Sequence, residues 1–248
     1  MNASLYVFPV IHLDQTAYLY DVMYKFAFII GFLYLVIDGY KKKFDFSTWL
    51  LLITSLFVGL ILGSRLGLNG FSDFKDAILL NKHLDFSGKS AIGAFILGFL
   101  FFFSTKKYLK FNSSILPSIA FMLPLMIVIQ RVGCLFAGCC YGNITDLWWG
   151  IRYNQTGQIF QYQVDQHIIS SQADFTHPVH PIPVYLILSS ILSIIILLYF
   201  RNKFKYKSSL LYLSLVLIFF GRFITEFFRD PITNHNIQGN YLAGLKIV

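Results

Sequence analysis

The chain has 248 residues, a length suited to one or two domains. It is 56% apolar and 18% aromatic but only 13% charged, where soluble domains carry about 25% charge, and this excludes a disordered chain, a coiled coil and an ordinary soluble enzyme. The formal net charge of +8 sits mostly in short segments between apolar runs, so it reads as membrane-flanking loops and no nucleic-acid partner is expected.

A membrane-spanning helix needs about 20 mostly apolar residues. Six segments qualify: 16–37, 49–66, 91–103, 115–130, 183–200 and 209–228, the third being short and beginning within the loop before it. The expected fold is therefore all-α, a polytopic transmembrane helix bundle forming one domain over residues 1–248. Residues 1–15 lack the basic start and apolar middle of a signal peptide. Lys41, Lys42 and Lys43 follow the first span, Lys106, Lys107 and Lys110 the third, and Arg201, Lys203, Lys205 and Lys207 the fifth. Short basic loops stay in the cytoplasm, which places the N-terminus and the segments after spans two, four and six outside. The outward segment 141–182 is polar and aromatic and has room for a small subdomain.

The arginines are distributed differently from the lysines. Arg65, Arg131, Arg222 and Arg229, four of six, fall at the outer ends of three spans. One explanation is snorkelling to the interface. The other is an anionic site, since a guanidinium grips phosphate with a planar fork that lysine cannot copy. Glu226, the only glutamate, lies four residues after Arg222 and on the same helical face, where it can hold the arginine.

The densest segment is QRVGCLFAGCCYG, residues 130–142. Its three glycines cost helix stability and suggest an irregular wall at the end of the fourth span. Cys134, Cys139 and Cys140 admit three readings: reactive thiols beside arginine, metal ligands together with His177 or His180, or small packable residues in a tight turn. The C-x4-C-C spacing is not a standard zinc pattern, and three cysteines do not make a disulfide framework. His177 and His180 lie in HPVHPIPVY before the fifth span, where a histidine can serve as base or phosphate donor or stay solvated.

These segments together resemble the prolipoprotein diacylglyceryl transferase family. YLYDVMYKFAFIIGF is similar to the family's first-helix pattern, with Tyr20 and Tyr24 at its tyrosines. LGSRLG matches its G-x-R at Gly63 and Arg65. RVGCLFAGCCYG resembles the signature R-x-G-N-F-x-N-G-E-x-x-G at Arg131, Gly133, Gly138 and Gly142. HPIPVY and GRFITEFFRDP carry over His180, Pro181, Tyr185, Arg222, Glu226 and Arg229. Three departures mark a divergent branch. Ile92 stands at the apparent position of the family's histidine; Cys134, Ala137 and Cys139 replace two asparagines and a glutamate; and the chain stops at 245–248, where a seventh helix is expected to begin.

The resemblance implies a bacterial plasma-membrane (inner-membrane) transferase. It moves a diacylglyceryl group from phosphatidylglycerol to a cysteine thiol in the lipobox of an exported prolipoprotein, without metal or other cofactor. On this reading Arg131, Arg222, Glu226 and His180 are the catalytic candidates. Tyr20, Arg65, Gly133, Gly138, Gly142, Tyr185 and Arg229 bind substrate, and Cys139 and Cys140 have a possible thiol role. The alternatives are a non-catalytic binder of anionic lipid, a small-anion transporter, or a related transferase with another acceptor.

Overall fold

The computed structural model describes residues 9–11, 16–67, 90–111, 115–155, 158–206 and 208–229. The region after 229, where the seventh span was expected to begin, lies outside them, as do residues 1–8 and 12–15 of the lead. The described residues form seven helices: α1 (Thr16–Lys41), α2 (Phe46–Leu66), α3 (Ala91–Tyr108), α4 (Leu116–Phe136), α5 (Gln158–Asp165), α6 (Ile182–Phe200) and α7 (Ser209–Glu226). Two short strands, β1 (Val10–Ile11) and β2 (Arg152–Tyr153), pair in parallel with Val10 opposite Arg152. Five helices are long and apolar enough to cross a membrane, in α1, α2, α4, α6 and α7. On α6, for example, Leu188, Ile195 and Leu198 are exposed, as lipid contact requires.

Several helix ends differ from the sequence expectation. α2 starts earlier because the Asp45 side chain accepts a hydrogen bond from Thr48 N at 2.9 Å, a cap that holds its carboxyl below the ordinary range. α4 runs past Gln130 to Phe136, so Arg131, Gly133 and Cys134 are helical rather than part of an irregular wall. A helical glycine costs about 1 kcal/mol, but tertiary contact overrides it here. A Cβ at Gly133 would lie 2.7 Å from Met23 Cβ, so only glycine lets α1 and α4 approach this closely.

The described residues divide into two compact units, one within 9–31 and 115–229 and the other within 32–111. In the first, α4, α6 and α7 pack against one another. Pro124 sits inside α4 and has no N–H, so the carbonyl of Ala120 one turn earlier loses its helical donor. Ser214 of α7 supplies the replacement, donating from Oγ to Ala120 O at 2.7 Å in the buried interface. The segment between α4 and α6 folds back on itself, with Ile151 bridged to Val179 and Asn154 to Phe175.

In the second unit α2 packs on α3 through small residues. Gly59, Gly63 and Gly67 repeat every fourth residue, and a Cβ on any of them would meet the backbone of Gly93, Leu97 or Gly98. Trp49 is fully buried there and donates from Nε1 to Leu35 O at 2.9 Å.

The Pro124–Ser214 pairing generates a mutational test. Ser214→Ala leaves a buried carbonyl without a donor, which costs about 1–3 kcal/mol. Pro124→Ala restores the backbone N–H, so the double variant should recover most of that loss in thermal unfolding in detergent. A double variant no more stable than Ser214→Ala alone would refute the pairing.

Candidate functional site

The turn that ends α4 builds the site. Gly138 takes a positive φ of 60°, its N–H reaches Leu135 O at 3.4 Å, and Cys139 N–H reaches Cys134 O at 3.2 Å. This double closure across a left-handed glycine is a Schellman motif. Cys140 follows at φ 59°, an uncommon conformation for a side-chain-bearing residue. The chain is thereby folded back over the helix, and the Sγ atoms of Cys134, Cys139 and Cys140 all lie within 4.8 Å of one another. Cys134 is buried, the other two are half-buried, and all three are free thiols.

Arg131, one turn before Cys134, faces this cluster. Its Nη1 lies 3.5 Å from Cys134 Sγ and 3.7 Å from Cys140 Sγ. Its Nε is a buried donor without a partner among the described residues. Hydrogen bonds from Cys134 and then Cys139 hold Cys140 well below the ordinary thiol range, with Arg131 and Arg229 adding to the effect. Tyr20 of α1 feels the charges of the three cysteines and of Arg131, which brings that predicted residue to the same place.

Arg222 and Arg229 extend the positive region. Arg222 experiences repulsion from Arg229 and Arg131. Glu226 lies between the two, 3.5 Å from Arg222 Nη2 and 3.6 Å from Arg229 Nη1. The predicted Arg222–Glu226 pair is present, and the second contact to Arg229 is added by the turn after α7. At these distances, with Glu226 46% exposed, the pairs orient side chains more than they stabilise the fold.

Gly142 is where three segments meet. Its N–H donates to His180 O at 3.0 Å, Asn143 N–H to Phe228 O at 2.9 Å, and His180 N–H to Asn143 O at 2.9 Å. A Cβ on Gly142 would overlap the Phe228 carbonyl. The cysteine turn, the histidine loop and the end of α7 are thus tied by backbone alone.

His180 is oriented by a side-chain chain. Trp149 Nε1 donates to Tyr185 Oη at 2.8 Å, and that hydroxyl is 2.9 Å from His180 Nδ1. An indole N–H can only donate, so the tyrosine proton is free to reach Nδ1 in the Nε2–H tautomer of neutral His180. Burial pushes the imidazole below its ordinary value. His180 and Tyr185 line an apolar cavity of about 430 Å³ with Leu192, Phe220, Ile224 and Phe228. Trp149 was absent from the sequence expectation; its only signal there is the tryptophan pair in an outward polar segment.

Arg65 lies at the end of α2, in the other compact unit. Ile92 is on the first turn of α3 and is 68% exposed. His177 is exposed, and its backbone N–H, not its ring, is held by Gln163 Oε1 at 2.7 Å.

Residues 9–247 match the family described as prolipoprotein diacylglyceryl transferase. The chain belongs to this family. A phosphatidylglycerol–prolipoprotein diacylglyceryl transferase of Ehrlichia ruminantium (strain Welgevonden) is 28% identical over 235 residues, covering 88% of this chain and 81% of the relative. One from Coxiella burnetii (strain RSA 331 / Henzerling II) is 26% identical over 184 residues, 70% of this chain. That match spans 62% of the Coxiella protein, less than two thirds of its length. One from Legionella pneumophila (strain Lens) is 30% identical over 144 residues, 54% of this chain and 55% of the relative. Family membership and the apolar helices together make the chain a multi-pass membrane protein of a transferase family.

Two tests follow from the geometry. Gly138→Ala should cost about 1–2 kcal/mol, the penalty of a left-handed side-chain-bearing residue. Gly142→Ala should cost more, because a backbone carbonyl blocks the methyl group; thermal unfolding in detergent gives the order, and equal midpoints would contradict it. For His180 the folded state disfavours the charged imidazole, so the unfolded chain binds the proton first. Stability should hold above the ordinary imidazole value of 6.5 and decline as pH falls below it. His180→Gln should flatten that decline in a pH series of unfolding midpoints.

Proposed function

We propose that this chain transfers a diacylglyceryl group from an anionic phospholipid, phosphatidylglycerol, to the lipobox cysteine thiol of an exported prolipoprotein. The observation that carries this reading is Arg131, whose buried Nε has no partner among the described residues, in a cationic group with Arg222 and Arg229. Such a site suits a phosphodiester, and the nearby apolar cavity suits an acyl chain. The relatives' names give the same donor and acceptor.

In the reaction the acceptor sulfur attacks the diacylglyceryl carbon and the bond from that carbon to phosphate oxygen breaks. The electron pair leaves with glycerol phosphate, which gains a negative charge. Arg131 and Arg222 stabilise that developing charge, with Glu226 and Arg229 holding Arg222 in place. His180 presents a protonated Nε2, so it donates to a phosphate oxygen rather than removing the acceptor's proton. Tyr20, Gly133, Gly138, Gly142 and Tyr185 shape and orient this place, and Arg65 is assigned to substrate binding by its G-x-R motif alone. The whole chain acts as one transferase domain. It crosses the bacterial inner membrane six times, with the N-terminus outside and segment 141–182 as an outward-facing subdomain, as the basic ends of α1, α3 and α6 favour.

A second reading, lipid binding without transfer, is favoured by Ile92, which cannot accept a proton where the resemblance expects histidine. The purified protein in proteoliposomes with labelled phosphatidylglycerol and a lipobox peptide separates the two. Label should pass to the cysteine peptide and not to its serine counterpart. Arg131→Lys should lower the rate by about a hundredfold while lipid binding persists. Lipid binding with no transfer by the parent protein would establish the second reading.

A further inference from the structure

The phosphate chemistry above leaves the three thiols without a role, and among the described residues it assigns no group to remove the acceptor thiol's proton. A thiol is a poor nucleophile until it is a thiolate. Ile92 cannot take a proton, and His180 has its Nδ1 engaged by Tyr185.

The cysteine cluster has the form of a three-ligand metal site. Zinc–sulfur bonds of about 2.3 Å place three thiolates about 4 Å apart around the ion. The three Sγ atoms already lie within 4.8 Å of one another, so each need move inward by roughly half an ångström. The C-x4-C-C spacing, foreign to zinc motifs along the chain, is no obstacle in space, because the Schellman turn at Gly138 and the left-handed Cys140 bring all three sulfurs together. A disulfide would use two of these sulfurs and leave the third unexplained. The charges also balance. Three thiolates and a divalent ion carry one net negative charge, and the Arg131 guanidinium, 3.5 and 3.7 Å from two of the sulfurs, carries one positive charge. Donors to coordinating sulfur hold such ligands in place.

We propose that Cys134, Cys139 and Cys140 form a three-thiolate site for zinc, and that the acceptor cysteine takes the open fourth position. This inference rests on the transfer reading above and supplies its missing step. A thiol that coordinates zinc gives up its proton, here to solvent. Its sulfur then forms the bond to the diacylglyceryl carbon as the carbon–oxygen bond breaks and glycerol phosphate departs. The ion changes neither oxidation state nor number, and the thioether product is a weaker ligand that leaves the fourth position open again.

The full-length protein, purified in detergent without chelator, should contain about one zinc per chain. Replacement by cobalt should give intense sulfur-to-metal absorption in the near ultraviolet. Cys140→Ser, at a half-buried position, should lose that absorption while keeping the parent's helical circular dichroism. Arg131→Gln should weaken zinc by about tenfold, as loss of an outer-shell partner does. Adding a lipobox peptide should shift the cobalt spectrum when it contains cysteine and leave it unchanged when it contains serine. These readouts need no turnover, so zinc binding without transfer would sink the transfer reading alone. A metal-free parent protein that does not take up zinc or cobalt under reducing conditions, or one that transfers lipid at full rate after chelation, would overturn the metal site. So would Cys140→Ser protein that binds zinc as tightly as the parent.

Discussion

One left-handed turn governs the first unit. α4 ends at Phe136, and the positive φ of Gly138 reverses the chain so that Cys139 bonds back to Cys134. Without that reversal the chain would continue away from the helix, and Arg131 would face no sulfur from beyond it. The reversal also aims Gly142 at the histidine loop and the end of α7, where its N–H and the Asn143 N–H find the carbonyls of His180 and Phe228. Side chains from three segments are therefore placed by backbone hydrogen bonds, which are hardest to break where water is scarce.

The same scarcity explains how the helices are joined. Apolar contact between helices gains little in lipid, since the surroundings are equally apolar. What remains is close approach and satisfied polar groups. Ser214 answers the carbonyl that Pro124 orphans, Trp49 finds Leu35 O, and the glycines of α2 allow the backbone of α3 to come near. Each of these devices is local to one of the two units, and each uses a residue that a hydropathy profile scores as an interruption.

This is also why the sequence was legible only in part. Five of the six expected spans are matched by helices long and apolar enough to cross a membrane, and these follow from run length because the bilayer imposes it. The Arg222–Glu226 pair follows from a four-residue spacing. The end of α4 did not follow, since three glycines argue for an early stop, whereas Gly133 stays helical where α1 packs closely on it. Nor did the sulfur cluster, whose spacing along the chain conceals a closeness that a positive φ at two positions creates. Trp149 was missed for the same reason: its partner Tyr185 is 36 residues away and joined to it only through folding.

Arg131 links the two halves of the proposed reaction. A guanidinium is planar and rigid, so its donors cannot be aimed independently. Nη1 is committed to the sulfurs, while Nε is buried and has no partner among the described residues. An anion bound at Nε would therefore lie at a fixed offset from the cysteine cluster, where the proposed reaction places the acceptor sulfur. A lysine could supply the charge at either place but not the separation, because an ammonium is a single point on a flexible stem. In the proposed reaction the geometry of this one side chain would thus set the distance between donor phosphate and acceptor thiol. Glu226 supports this arrangement from the other side by drawing Arg222 and Arg229 toward itself, which limits how strongly three cations crowd one anion.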